Sequence, residues 1–174
     1  MKVLIVVDAQ VDFVTGALAN PVAEERIPVI KERVAAAREN HEMVIFTQDT
    51  HMENYMDTLE GEKLPVEHCI YQTEGWEIVE ELRDEAALCV LKPTFGSFDL
   101  IDRVVAFRNA FNEDIEIELC GFCTDICVCS NALLLRAAMP DARITVNEGL
   151  CAGTTKENHE AALAVMRSCQ IDVI

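Results

Sequence analysis

Eight cysteines and four histidines stand among 31 acidic residues in this chain. Only one stretch arranges such groups as a nucleophile needs them. Leu119-Cys120-Gly121-Phe122-Cys123-Thr124-Asp125-Ile126-Cys127-Val128 joins a strand-like segment, 114–119, to a run rich in helix formers, 126–138. Thr124 and Asp125 suit the N-cap of that helix. Cys127 then lies in the first turn, where free N–H groups and the helix dipole favour a thiolate. Three readings of these cysteines stand side by side. They are small buried hydrophobes, which suits Cys120 and Cys129; or Cys120 and Cys123 form a redox C-x-x-C pair; or Cys127 is an acyl-transfer nucleophile.

The third reading requires partners, and two strand ends offer them. Asp8 closes the apolar run Lys2–Val7, and Lys92 closes the run 87–91. Both fall at the C-terminal end of an expected parallel strand, where α/β folds place their sites. An Asp8–Lys92–Cys127 set is chemically coherent. Lys92⁺ favours the thiolate, and Asp8 takes the thiol proton and relays it to a leaving group. The turn before Cys127 supplies backbone N–H groups for an oxyanion. The plainer alternative makes Asp8 a turn cap and Lys92 a solvated surface cation.

A second cluster lies in 48–75, a stretch without helical or strand periodicity. Runs of this kind within compact domains are usually functional. It carries Asp49-Thr50-His51, Glu60 and Leu64-Pro65-Val66-Glu67-His68-Cys69. Asp-x-His puts a carboxylate and an imidazole on one side of an extended segment. Glu60 and His68 can complete a mixed N/O set for a divalent ion: Zn²⁺, Fe²⁺ or Mn²⁺. In so acidic a chain the same carboxylates also read as ordinary surface groups. His159, in a helical run, reads as a surface or packing residue.

The elements that must position these groups follow from the pattern. Strands are expected at Lys2–Val7, 43–47, 87–91, 114–119, 142–146 and 171–174, and helices at 20–39, 76–82, 99–111, 126–138 and 154–168. Their alternation predicts an α/β fold of Rossmann-like architecture: three layers, α/β/α, around a six-stranded parallel sheet. With 174 residues, no repeat and no linker, one domain spanning 1–174 is expected. A formal charge of −17 argues against nucleic acid and anionic membranes as partners. No apolar run approaches the ~18 residues of a membrane span, and Met1-Lys2 leads straight into a strand rather than a signal peptide. A cytoplasmic protein with reduced thiols is expected.

Taken together, in order and spacing, five motifs resemble the isochorismatase-like cysteine hydrolases, and within them the nicotinamidases. They are Val-Asp-Ala-Gln-Val-Asp-Phe, Thr-Gln-Asp-Thr-His, Pro-Val-Glu-His-Cys, Lys-Pro-Thr-Phe-Gly-Ser-Phe and Gly-Phe-Cys-Thr-Asp-Ile-Cys-Val. The resemblance covers nearly the whole chain. It implies a six-stranded parallel sheet, homo-oligomers, and a catalytic triad of Asp8, Lys92 and Cys127. It also implies a cis peptide between Phe122 and Cys123, an oxyanion hole from the amides of Cys123 and Cys127, and Phe13 as an aromatic pocket wall. Nicotinamidase-like members hold a divalent ion, here matched by Asp49, His51 and His68. Asp57 stands where some members have His; Glu60 resembles the Glu of others and is preferred, since Thr58-Leu59-Glu60-Gly61 looks like a turn that folds back. The implied reaction is hydrolysis of a small amide, nicotinamide to nicotinate and ammonia, through a thioester on Cys127. The alternatives are a metal-free type of family hydrolase acting on another small substrate, a C-x-x-C redox protein, and a non-catalytic scaffold.

Overall fold

The apolar run Lys2–Val7 forms β1, with Val3 to Val7 buried. A strand with no polar alternation can be buried only if helices cover both faces of its sheet, and this constraint sets the architecture. The computed structural model describes residues 1–84, 87–111 and 114–174. In chain order after β1 come α1 (Val11–Val14), α2 (Pro21–Glu39), β2 (Met43–Asp49), α3 (Leu59–Lys63), β3 (Leu88–Lys92) and α4 (Phe98–Phe111). There follow β4 (Glu116–Phe122), α5 (Cys129–Ala138), β5 (Arg143–Ala152), α6 (Lys156–Ser168) and β6 (Asp172–Val173). Among the described residues the strands form one six-stranded sheet, ordered β3-β2-β1-β4-β5-β6. Every pairing in it is parallel. The α/β fold with its six-stranded parallel sheet is as the residue pattern predicts.

Local chemistry explains the main helix. Asn20 caps α2, its side-chain oxygen accepting from the amides of Val22 and Ala23, and Pro21 occupies the first helical position. Ala23, Ile27, Ile30 and Ala37 are its buried face.

The structure departs from expectation in two places that matter for the site. β2 and β3 each run further than the periodicity suggests, ending at Asp49 and Lys92, which are direct register partners. The helix expected over 76–82 does not form. Two single 3₁₀ turns, Glu74–Trp76 and Glu80–Leu82, flank an extended segment whose Ile78 bridges Gln10 in antiparallel fashion. The amide of Val11 donates to the Glu77 carbonyl at 2.9 Å and that of Val79 to Ala9 at 3.0 Å. Backbone groups engaged across to the loop after β1 are not available to a helical ladder.

The pairing of β1 with β4 depends on one glycine. Gly121 sits opposite Val7 with φ at +110°, and a Cβ there would lie 2.1 Å from the Val7 carbonyl oxygen. Both the dihedral and the contact exclude a side chain. Gly121→Ala is expected to destabilise the fold by at least about 2 kcal/mol, read as a lower urea midpoint. A midpoint equal to that of the unmodified chain would mean that the two strands are not held this close.

Candidate functional site

The sheet order places the C-terminal ends of β3, β2, β1 and β4 side by side, and the chemistry gathers there. Asp8 follows β1 immediately. Its backbone is left-handed, φ 49°, a conformation Asp tolerates better than most residues. Its amide donates to the Thr47 carbonyl and hydroxyl, both at 3.2 Å, and its carboxylate accepts from Thr47 Oγ1 at 2.6 Å. Lys92 reaches across β2 to meet it. Its Nζ lies 2.7 Å from Asp8 Oδ2 and donates at 3.2 Å to Asp49 Oδ1, at 3.2 Å to the Thr94 carbonyl and at 3.4 Å to Cys127 Sγ. Asp8 and Lys92 are wholly buried, so neither the turn cap nor the solvated surface lysine describes them.

Cys127 arrives from a π-helical turn, Thr124–Val128, that runs into α5. The cap position of this turn is Cys123, with no side-chain cap. Thr124 and Asp125 are thus not the N-cap pair expected. The amides of Ile126 and Val128 both donate to the Cys123 carbonyl at 3.1 Å, and these bonds engage neither the Cys123 nor the Cys127 amide. The peptide between Phe122 and Cys123 is cis. Asp125 instead binds the start of α6, accepting from the Thr154 amide at 2.8 Å and hydroxyl at 2.6 Å. Buried Thr124 shares a 2.8 Å hydrogen bond with Nδ1 of His159. His159 is therefore not a plain surface or packing residue: it ties α6 to the turn that carries Cys127.

The surroundings of Cys127 work against the thiolate that Lys92 and a helix start are expected to favour. Burial pushes its thiol well above the ordinary range, the Asp8 carboxylate adds to that, and Lys92 opposes both without prevailing. Cys123 is likewise pushed up to about 12, chiefly by burial. Burial also raises Asp8, although Lys92 pulls it down, while Lys92 stays charged because Asp8, Cys127 and Asp49 outweigh its desolvation. Burial thus raises the proton affinity of both the Cys127 thiol and the Asp8 carboxylate beside Lys92.

Asp49, His51, Glu60 and His68 bring one ligand atom each to within 4.8 Å of one another. His51 Nε2 is 3.1 Å from Asp49 Oδ2 and 3.7 Å from Glu60 Oε1; His68 Nε2 is 3.7 and 3.9 Å from the same atoms. A tetrahedral ion with bonds of about 2.0–2.1 Å separates its ligand atoms by about 3.3 Å, so small adjustments suffice. His68 Nδ1 lies 2.8 Å from the Val66 carbonyl, which fixes that nitrogen as the donor and leaves Nε2 free to ligate. Burial alone would raise Asp49, yet the hydrogen bond to His51 and the charge on Lys92 hold it low. His51 is raised above its ordinary value by Asp49 and Glu60 despite burial. The donor set fits a divalent ion, and Glu60 rather than Asp57 is its fourth member. Tyr55, which carries no signal in the sequence, packs its ring at 4.7 Å from His51 and 5.0 Å from His68, and its hydroxyl donates to the Leu64 carbonyl.

Both groups open into one pocket of about 810 Å³, whose walls include Phe13, Asp49, Glu60, His68, Cys123 and Cys127. Phe13 meets the His68 ring edge-on at 5.8 Å. The arrangement can attack a carbonyl with sulfur, move the thiol proton to Asp8, and seat an aromatic ring between Phe13 and the ligand cluster. All eight cysteines are free. Among the described residues, no helix is long and apolar enough to cross a membrane.

The isochorismatase domain family model matches residues 2–174. No curated protein sequence matches the chain significantly. Similar solved structures include the pyrazinamidase of Pyrococcus horikoshii in complex with zinc, 27% identical with a TM-score of 0.84, over 99% of this chain and 98% of that one. The pyrazinamidase/nicotinamidase of Streptococcus mutans is 26% identical with a TM-score of 0.84 over 100% of both chains. The nicotinamidase of Bacillus subtilis is 27% identical with a TM-score of 0.82, over 99% of this chain and 98% of that one. The chain belongs to the isochorismatase family of hydrolases.

The buried thiol makes a kinetic prediction. Iodoacetamide is expected to alkylate Cys127 slowly near neutral pH and faster as the pH climbs through the ordinary thiol range of about 8.5, without levelling off there. The site-specific rate is read by mass spectrometry of quenched samples. A rate already at its plateau near about pH 7 would mean a standing thiolate.

Proposed function

We propose that this isochorismatase-family hydrolase is a cysteine amidohydrolase that converts nicotinamide and water to nicotinate and ammonia. The observation that carries the reading is the position of the Lys92 ammonium. It lies 2.7 Å from Asp8, 3.4 Å from Cys127 Sγ and 3.2 Å from Asp49, the last a member of the ligand cluster. One cation therefore joins a nucleophile and its base to a donor set that fits a divalent ion. The similarity to pyrazinamidases and nicotinamidases supports the same substrate class.

In the proposed reaction Asp8 takes the Cys127 thiol proton as sulfur bonds to the amide carbon, and the carbonyl π electrons move to oxygen. The amides of Cys123 and Cys127 receive that oxyanion. Its collapse breaks the C–N bond, and Asp8 returns the proton to the departing amine, releasing ammonia and leaving a thioester. A water then loses a proton to Asp8 and adds to the thioester carbon. Collapse of the second tetrahedral intermediate expels sulfur, which recovers the proton from Asp8. Lys92 keeps the negative charge that passes between Asp8 and Cys127 compensated throughout. Raised by burial, Asp8 can hold the proton between steps.

Asp49, His51, Glu60 and His68 would hold a divalent ion, zinc, iron or manganese, which when bound supplies a Lewis-acid centre for the pyridine nitrogen of the substrate. Phe13 lines the face of the ring. This is catalysis by positioning: ring contacts fix the carboxamide against the sulfur.

The substrate series follows from this assignment. Pyrazinamide, which keeps the ring nitrogen, should be turned over at a rate comparable to nicotinamide, and benzamide, which lacks it, should fall by at least about 10²-fold in kcat/KM. Ammonia release measures all three. Benzamide hydrolysed as well as nicotinamide would overturn the ring-nitrogen anchor. The nucleophile assignment has its own check: Cys127→Ala should abolish turnover, whereas Cys123→Ser, which keeps the backbone N–H, should retain most of it. Equal losses in the two would return attention to the C-x-x-C pair.

A further inference from the structure

Three alternating side chains after β1 face three different parts of the site. Asp8 meets Lys92, as above. Gln10, wholly buried, grips the backbone of Asp49 on both sides: its Oε1 accepts from the Asp49 amide at 2.8 Å and its Nε2 donates to the Asp49 carbonyl at 2.9 Å. The same Nε2 also donates to the Trp76 carbonyl at 2.8 Å. Asp12 accepts from the Ala17 amide at 2.9 Å through Oδ1 and from the Cys69 amide at 2.7 Å through Oδ2.

Cys69 follows His68 directly, and its backbone is left-handed, φ 48°. Its carbonyl accepts from the His51 amide at 3.0 Å. One residue thus ties the segments bearing both imidazoles, in a conformation that a side chain such as cysteine's disfavours. A charge-assisted bond from Asp12 to its N–H is the kind of contact that holds such a conformation. Gly75 leaves room for it: a Cβ there would lie 2.2 Å from Asp12 Oδ2.

We infer that Gln10 and Asp12 are positioning residues of the Asp49–His51–Glu60–His68 cluster, Gln10 acting through the Asp49 backbone and Asp12 through the Cys69 amide. This rests on the metal reading proposed above. Neither side chain belongs to the ligand cluster or to the walls of the pocket. Their task is to bring donors from β2 and from the 68–70 segment into one register, so that binding does not have to order them. The short segment from the end of β1 into α1 thus carries the base, Asp8, a residue on the β2 ligand, Gln10, and a residue on the loop ligand, Asp12.

The test measures zinc affinity in competition with a chromogenic chelator, for the unmodified chain and for Gln10→Met, Asp12→Asn and Gly75→Ala. Met keeps the volume of Gln10 without its bonds. Asn turns an N–H₂ toward one of the two amide donors. Ala at position 75 displaces the Asp12 carboxylate while leaving it in place chemically. Each should weaken zinc binding by about 10–100-fold, the usual cost of losing an outer partner of a metal ligand, and saturating zinc should restore turnover. The alkylation rate of Cys127 in zinc-free protein should not change, which separates positioning of the cluster from general damage to the fold. Zinc affinity unchanged in all three would overturn the inference alone. A slowed or accelerated Cys127 equal to the loss in zinc binding would also overturn it, by showing a global effect. Failure of the unmodified chain to bind zinc would overturn the metal reading, and this inference with it.

Discussion

The ammonium of Lys92 is the constraint on which the site depends. A cation buried without partners would lose its charge or the fold, so Asp8 and Asp49 must be where they are. Removing one partner of such a buried pair typically costs about 3–5 kcal/mol, because the remaining charge is stranded. The need is therefore mutual. Asp8 and Asp49 could not stand so near each other in a dry interior without a cation between them. Lys92 makes the nucleophile side and the ligand side of the pocket one electrostatic unit.

Sheet topology is what makes that unit possible. The order β3-β2-β1-β4 lays four strand ends in a row, and register brings Asp49 opposite Lys92 and Val7 opposite Gly121. Asp8 and the Cys127 turn are then the first residues beyond their strands on either side of one tight strand pair. A shift of one residue in β2 or β3 would turn Asp49 or Lys92 to the other face of the sheet. The hydrophobic core thus fixes the chemistry indirectly: the continuous burial of β1 sets its register, and its register sets the site.

How much of this is legible in the sequence differs by element. The strands with unbroken apolar runs and the capped helix α2 are readable, because burial on two faces and an Asn-Pro start leave few alternatives. Asp8, Lys92 and Cys127 stand out because strand ends are where parallel sheets expose functional groups. Segment 76–82 misleads, since its spacing suits a helix while its backbone bonds go to Ala9 and Val11; tertiary pairing is invisible to local pattern. Tyr55 and the Thr124–His159 contact are also unreadable, because aromatic packing and a bond between residues 35 positions apart leave no periodic trace. Gln10 and Asp12 do leave one, their alternation with Asp8, which gains meaning only when the loops they hold are known.

The two carboxylates around Lys92 carry opposite shifts, and this divides their labour. Asp49 has His51 as well as Lys92 to stabilise its charge and is held low. Asp8 has Lys92 and one hydroxyl, Thr47, against complete burial and the neighbouring Asp49 charge, and is raised. Paired acids whose environments push them apart are the general means by which one site keeps one group ionised and lets another exchange protons. A ligand to a divalent ion must stay ionised, and a base that returns its proton to a leaving amine must not bind that proton too weakly. These surroundings support the proposed assignment of Asp49 to the ligand cluster and Asp8 to proton transfer. The same surroundings raise the Cys127 thiol: burial and the Asp8 carboxylate beside it both disfavour a second anion at sulfur. In the proposed mechanism the nucleophile is made by the step that uses it, and no reactive thiolate stands exposed to the pocket in between.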